Sequence, residues 1–155
     1  MMDVEIVATR EIPDEKADQV ETFFGTRVVA VQNGAEESKL HLEYGFEPSY
    51  GRTRRCLKVR RPGKSPIMTF YGGDRWGQNG RVYAKLPKSK GRGYIRDGSK
   101  IDPQLEELGT CRLRRFIEPR PGRRVEACWA LAAQEDDLET LVQAALVCEQ
   151  LRSQS

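Results

Sequence analysis

Lys39-Leu40-His41-Leu42-Glu43-Tyr44-Gly45-Phe46 decides the fold class. Leu40, Leu42, Tyr44 and Phe46 fall at every second position, with Lys39, His41 and Glu43 between them. A period of two puts the apolar set on one face of a strand and the polar set on the other. Such a strand buries one face and gives the other to solvent, as in an antiparallel sheet covered on one side.

The same pattern continues outward. Downstream, Arg54 to Arg61 sets Leu57 and Val59 against Cys56, Lys58 and Arg60. Pro62-Gly63-Lys64 reads as a turn, Ile67 to Tyr71 as the returning strand and Arg81 to Leu86 as another. Gly45 to Gly51 and Gly72 to Gly80 read as loops, and so does the glycine- and lysine-rich stretch Lys88 to Lys100, with room for a short strand at Tyr94 and Ile95. Upstream, Arg27 to Gln32 is a β-branched strand closed by the turn signal Asn33-Gly34. Asp3 to Arg10 alternates, with Val4, Ile6 and Ala8 on one face. Between these two strands, Ile12-Pro13-Asp14 predicts a helix start and Gly25 its stop, with Ala17, Val20 and Phe24 toward the core.

Toward the C-terminus, Asp102-Pro103 before Leu105, Leu108 and Gly109 predicts a short helix with Asp as N-cap, Pro at N1 and Gly at C′. Thr110 to Glu118 and Arg123 to Leu131 predict a hairpin turning at Pro119-Arg120-Pro121-Gly122. Its inward faces would be Cys111, Leu113 and Ile117 on one strand, and Val125, Ala127, Trp129 and Leu131 on the other. Glu135 to Leu151 predicts an amphipathic helix with Leu138, Leu141, Val142, Ala145, Cys148 and Leu151 as its stripe. No β-helix-β alternation recurs, which argues against a doubly wound sheet. The expected fold is a single α+β domain over 1–155. It is a mainly antiparallel sheet of about six to seven strands with an N-terminal and a C-terminal helix packed on one face.

Charge is partitioned along the chain. Residues 1–47 hold 4 basic and 11 acidic side chains, residues 52–100 hold 15 basic and 2 acidic, and residues 125–155 hold 1 basic and 6 acidic. The net charge of +3 conceals this. A basic segment flanked by acidic ends needs counter-charge, from its own flanks, from an acidic partner or from phosphates. The alternating segment Arg81-Val82-Tyr83-Ala84-Lys85 puts Arg81, Tyr83 and Lys85 on one face. A basic, aromatic, basic face suits base stacking with phosphate contacts on either side. The candidate nucleic-acid-binding residues are Arg54, Arg55, Lys58, Arg60, Arg61, Lys64, Arg75, Trp76, Arg81, Tyr83, Lys85, Lys88, Lys90, Arg92, Arg96, Arg112 and Arg114. Tyr71 and Tyr94 add aromatics near Arg75, Arg92 and Arg96.

Other chemistry finds little support. His41 is the only histidine and sits between charged neighbours, and no nucleophile-base arrangement is present. Cys56, Cys111, Cys128 and Cys148 form no C-x-x-C pair and no zinc spacing, so reduced thiols and no metal are expected. Gly63-Lys64-Ser65 lacks the earlier glycine of a P-loop and precedes Pro66, and Gly91 and Gly93 lack the third dinucleotide glycine. RNA-recognition, KH, zinc-finger and helix-turn-helix patterns are also missing. The order of elements is similar to that of triphosphate-tunnel enzymes of the CYTH group: Glu5 on a first strand, a helix, basic strands, Glu126 on a late strand and a final helix. That resemblance implies a triphosphate-binding or triphosphatase-like domain. Its metal site would be degenerate here, since Val7 and Thr9 stand where further carboxylates belong.

The sequence thus points to a non-enzymatic domain that binds nucleic acid, RNA ahead of duplex DNA, without a cofactor. An acidic protein surface, including that of a second copy, is the alternative partner. No membrane span or export signal is evident, so a cytoplasmic location is expected.

Overall fold

The structure, a computed structural model, describes residues 4–14, 24–49, 52–72, 80–86, 95, 100–116 and 125–153. Ten elements follow in order: β1 (Val4–Pro13), β2 (Gly25–Asn33), β3 (Glu36–Ser49), β4 (Arg52–Arg60), β5 (Pro66–Gly72), β6 (Arg81–Lys85), α1 (Pro103–Glu107), β7 (Thr110–Phe116), β8 (Val125–Gln134) and α2 (Leu138–Ser153). The strands form one antiparallel sheet of 8 in the order β1-β2-β3-β4-β5-β6-β8-β7. Only β8 leaves sequence order, entering between β6 and β7.

The apolar alternation places the core as expected. Val29, Val31, Leu40, Leu42, Tyr44, Leu57, Val59, Met68, Phe70, Val82, Ala84 and Leu131 are buried on one side of the sheet. There they meet Leu141, Val142, Ala145 and Cys148 of α2. Ala144, Leu146 and Val147 are buried as well, so α2 is enclosed beyond the single stripe read from its sequence. The short helix α1 forms as read. Asp102 accepts a hydrogen bond from the Gln104 amide, and Gly109 takes φ 100° just past the helix.

Four readings need correction. Ile12 and Pro13 are not a helix start: they extend β1, paired with Thr26 and Gly25. Gly25 opens β2 with φ +142°, and a Cβ there would lie 2.1 Å from the Ile12 carbonyl oxygen. Glycine is thus demanded by close backbone approach, and the helix expected between β1 and β2 falls on residues 15–23, outside the described residues. Phe24 is buried as read, while Ala17 and Val20 lie outside the described residues.

Second, β3 does not stop at Gly45 but runs to Ser49, paired with β4 as far as Arg52. Beyond Tyr44 it has no β2 partner, so Pro48 removes no ladder bond on that side. Third, a register shift between Ile6 and Ala8 breaks the β1 alternation: Ile6 pairs with Val31, but Ala8 pairs with Ala30. Fourth, β7 pairs Leu113 with Cys128 and Arg112 with Trp129. The two inward sets read for this hairpin are therefore out of register by one residue.

Candidate nucleic-acid interface

The face of the sheet away from α2 carries the polar half of each alternation. Cross-strand partners share a face. Register therefore gathers His41, Glu43 and Glu47 of β3, Lys58 and Arg60 of β4, Thr69 and Tyr71 of β5, and Arg81, Tyr83 and Lys85 of β6 on one surface. Tyr71 and Tyr83 are direct partners across β5 and β6. The Arg81 guanidinium carbon lies 5.8 Å from the centre of the Tyr83 ring. Arg81 is exposed, and Tyr71, Tyr83 and Lys85 are half-buried.

Two carboxylates of β3 reach into this surface. Glu43 ion-pairs with the Arg60 Nε, and Glu47 lies 3.2 Å from the Lys58 Nζ. All four side chains remain about a third exposed, at 29–39%. The Tyr71 hydroxyl also donates to Glu47, at 2.9 Å. Register explains that reach: Cys56 and Gly45 separate Tyr71 from β3's far side, and neither is bulky enough to block the phenol. The Tyr71 hydroxyl and then Lys58 hold the Glu47 carboxyl below the ordinary glutamate range. Burial pushes the Cys56 thiol up, with Glu47 adding to it.

Two further basic residues, Arg55 of β4 and Arg61 just after it, serve the helix side. Arg55 ion-pairs with Glu135, at the turn between β8 and α2. Gly72 stands beside it, where a Cβ would come within 3.1 Å of Arg55 Cβ. α2 starts three residues later than the Glu135 expected from sequence, and Asp137 caps it, accepting from the Thr140 amide and hydroxyl. Burial raises the Glu135 carboxyl above its ordinary range, and Arg55 only partly offsets that. Arg61 grips both Glu149 oxygens, at 2.8 and 3.0 Å, and donates to the Ser38 hydroxyl. A second polar cluster joins Arg27 to Glu11 and to the Tyr44 hydroxyl, which donates in turn to the Glu135 carbonyl.

Structure therefore divides the candidate residues. Lys58, Arg60, Arg81, Tyr83 and Lys85 share the outer face, and Lys64 is exposed at the β4–β5 turn. Arg55 and Arg61 tie the two ends of α2 to the sheet. Arg54, Arg112 and Arg114 have backbones in β4 and β7, with side chains outside the described set. Arg75, Trp76, Lys88, Lys90, Arg92 and Arg96 lie outside the described residues. Sequence reasoning left out Glu43 and Glu47 as partners of Lys58 and Arg60. The signal was present: two acids at even spacing on the strand before a basic strand.

Among the described residues no cluster of three His, Cys, Asp or Glu side chains could hold a metal. None of their helices is long and apolar enough to cross a membrane. No known protein family, curated protein or solved structure matches the chain.

Proposed function

We propose that this chain is a non-enzymatic nucleic-acid-binding domain that takes single-stranded RNA on the outer face of β4, β5 and β6. The observation that carries the reading is the direct pairing of Tyr71 with Tyr83 on the face that also holds Lys58, Arg60, Arg81 and Lys85. Neighbouring rings on adjacent strands offer a stacking platform for unpaired bases, which every base can use through its π-face. Cations on both sides of the platform would follow the backbone phosphates. Lys64, exposed at the β4–β5 turn, would add a further cation.

Duplex DNA is the poorer fit. Neither described helix suits a major groove: α1 has no basic residue, and the single one in α2, Arg152, donates to the Ile67 carbonyl. Head-to-tail assembly through the acidic ends is also less favoured. Those ends already supply Glu43, Glu47, Glu135 and Glu149 to the basic segment of the same chain.

The test starts with the ratio of 260 to 280 nm absorbance of the purified protein, before and after a high-salt wash. Binding of a labelled uridine oligonucleotide at low salt is then followed by fluorescence anisotropy. Co-purifying nucleic acid that salt removes, and saturable oligonucleotide binding, are expected. No binding at low salt overturns the proposal. Salt-sensitive light scattering without nucleic acid would support self-association instead, and phosphate release from inorganic triphosphate would support the enzymatic alternative.

A further inference from the structure

We infer that Glu43 and Glu47 occupy the phosphate positions of this face, so that a nucleic-acid ligand binds by displacing them from Arg60 and Lys58. The inference rests on the proposed single-strand reading and adds how that site is controlled. Three observations carry it. Both ion pairs lie on the same surface as the Tyr71–Tyr83 platform. In both pairs each side chain is 29–39% exposed, so an incoming anion can reach the cations at their open edges, while the Glu43 Oε1 and Arg60 Nε atoms that meet are covered. Glu47 also holds the Tyr71 hydroxyl, which couples the position of one platform ring to the carboxylate that must leave.

The helix-side pairs differ in what they hold, although Arg61 and Glu149, at 26% and 37%, are as exposed as the outer-face pairs. Arg55 and Glu135 are only 10% and 12% exposed and fix the start of α2. Arg61 is held by two hydrogen bonds to Glu149 and one to Ser38. Opening these would disturb the packing of α2, whereas opening the Glu43 and Glu47 pairs disturbs only side chains on a solvated face.

A ligand offering phosphates alone gains little from this surface, because each phosphate replaces a carboxylate of like charge. A ligand that also offers unpaired bases gains stacking on Tyr71 and Tyr83. Glu43 and Glu47 thereby set a threshold that favours single-stranded nucleic acid over polyanions without bases.

The test compares wild type with Glu43→Gln, Glu47→Gln and the double variant, using a uridine oligonucleotide and an inorganic polyphosphate of equal charge. Glutamine keeps the shape and removes the charge. Exposed ion pairs of this type are worth little each, so the double variant is expected to bind either ligand roughly 3- to 30-fold more tightly, and each single variant by a smaller factor. Glu149→Gln, on the helix side, serves as control and should give no comparable gain. Unchanged or weaker binding by all three folded variants overturns the inference while leaving the binding function standing. Equal wild-type affinity for the oligonucleotide and the polyphosphate overturns the base-stacking reading instead. A single variant that folds decides the matter if the double variant does not.

Discussion

Arg55 and Glu135 meet as an ion pair in which neither side chain is more than 12% exposed. One comes from the start of the basic segment and the other from the acidic C-terminal flank, 80 residues on. Part of the positive charge concentrated in β4 is therefore structural. It anchors the turn through which β8 passes into α2, next to the Tyr44 hydroxyl on the Glu135 carbonyl.

Arg55→Ala should cost about 3 kcal/mol of folding stability, because it leaves a carboxylate buried without its partner. Denaturation in urea measures this. Replacing both residues by apolar side chains of similar volume should restore much of the loss. An Arg55→Ala protein as stable as wild type would show that the pair does not hold α2.

Glu47 and Glu135 should act on acid stability with opposite signs. The Glu47 carboxyl is lowered by the Tyr71 hydroxyl and Lys58, so its contribution is present above the ordinary value of 4.5 and is lost as pH falls through its folded value. The Glu135 carboxyl is raised by burial, so its contribution is complete below 4.5 and is lost as pH rises through its folded value. Urea midpoints between about pH 3.5 and 7 should therefore fall less on acidification in Glu47→Gln than in wild type. In Glu135→Gln they should fall more.

Burial pushes the Tyr44 hydroxyl up to about 12, against the opposing charge and hydrogen bond of Arg27. Its linked stability is fully present below the ordinary 10.0 and is lost as pH rises through about 12. Ultraviolet titration should show one phenol ionising late, and Tyr44→Phe should remove it. The same substitution should cost roughly 1 kcal/mol at neutral pH through the lost hydrogen bonds.

Tyr83→Ala and Tyr71→Ala should each weaken single-stranded RNA binding by roughly 5- to 150-fold, the usual range for a lost base stack. Phenylalanine at either position should retain most of the affinity. At position 71 it also releases Glu47 from the phenol. Anisotropy titrations at one fixed salt concentration make the comparison.

The core was legible because period-two alternation is a local signal. Leu40, Leu42 and Tyr44 needed only their neighbours to be placed, and so did Leu57 with Val59. Strand ends and registers were not legible, since they depend on partners far along the chain. Gly25 also meets the Ile12 carbonyl of β1, a close approach that leaves no local mark in the sequence. The register shift after Ile6 and the pairing of Arg112 with Trp129 leave no mark in composition. For the site, the sequence separated Lys58 and Arg60 from Leu57 and Val59. The same alternation puts Arg55 with Leu57 and Val59 on the helix side, but its partner Glu135, 80 residues on, is not legible locally. The Tyr71–Tyr83 pair likewise appears only once β5 and β6 are in register.

The most direct test of the central claim is the affinity for a single-stranded RNA oligonucleotide measured across a salt series, for wild type and for Arg81→Gln. A protein that binds by releasing counterions loses affinity linearly in log–log form, with a slope of about −0.7 per phosphate contacted on a single strand. Wild type should show a steep slope and Arg81→Gln a shallower one, by about one unit or less. A wild-type affinity unchanged between low and moderate salt would contradict the central claim.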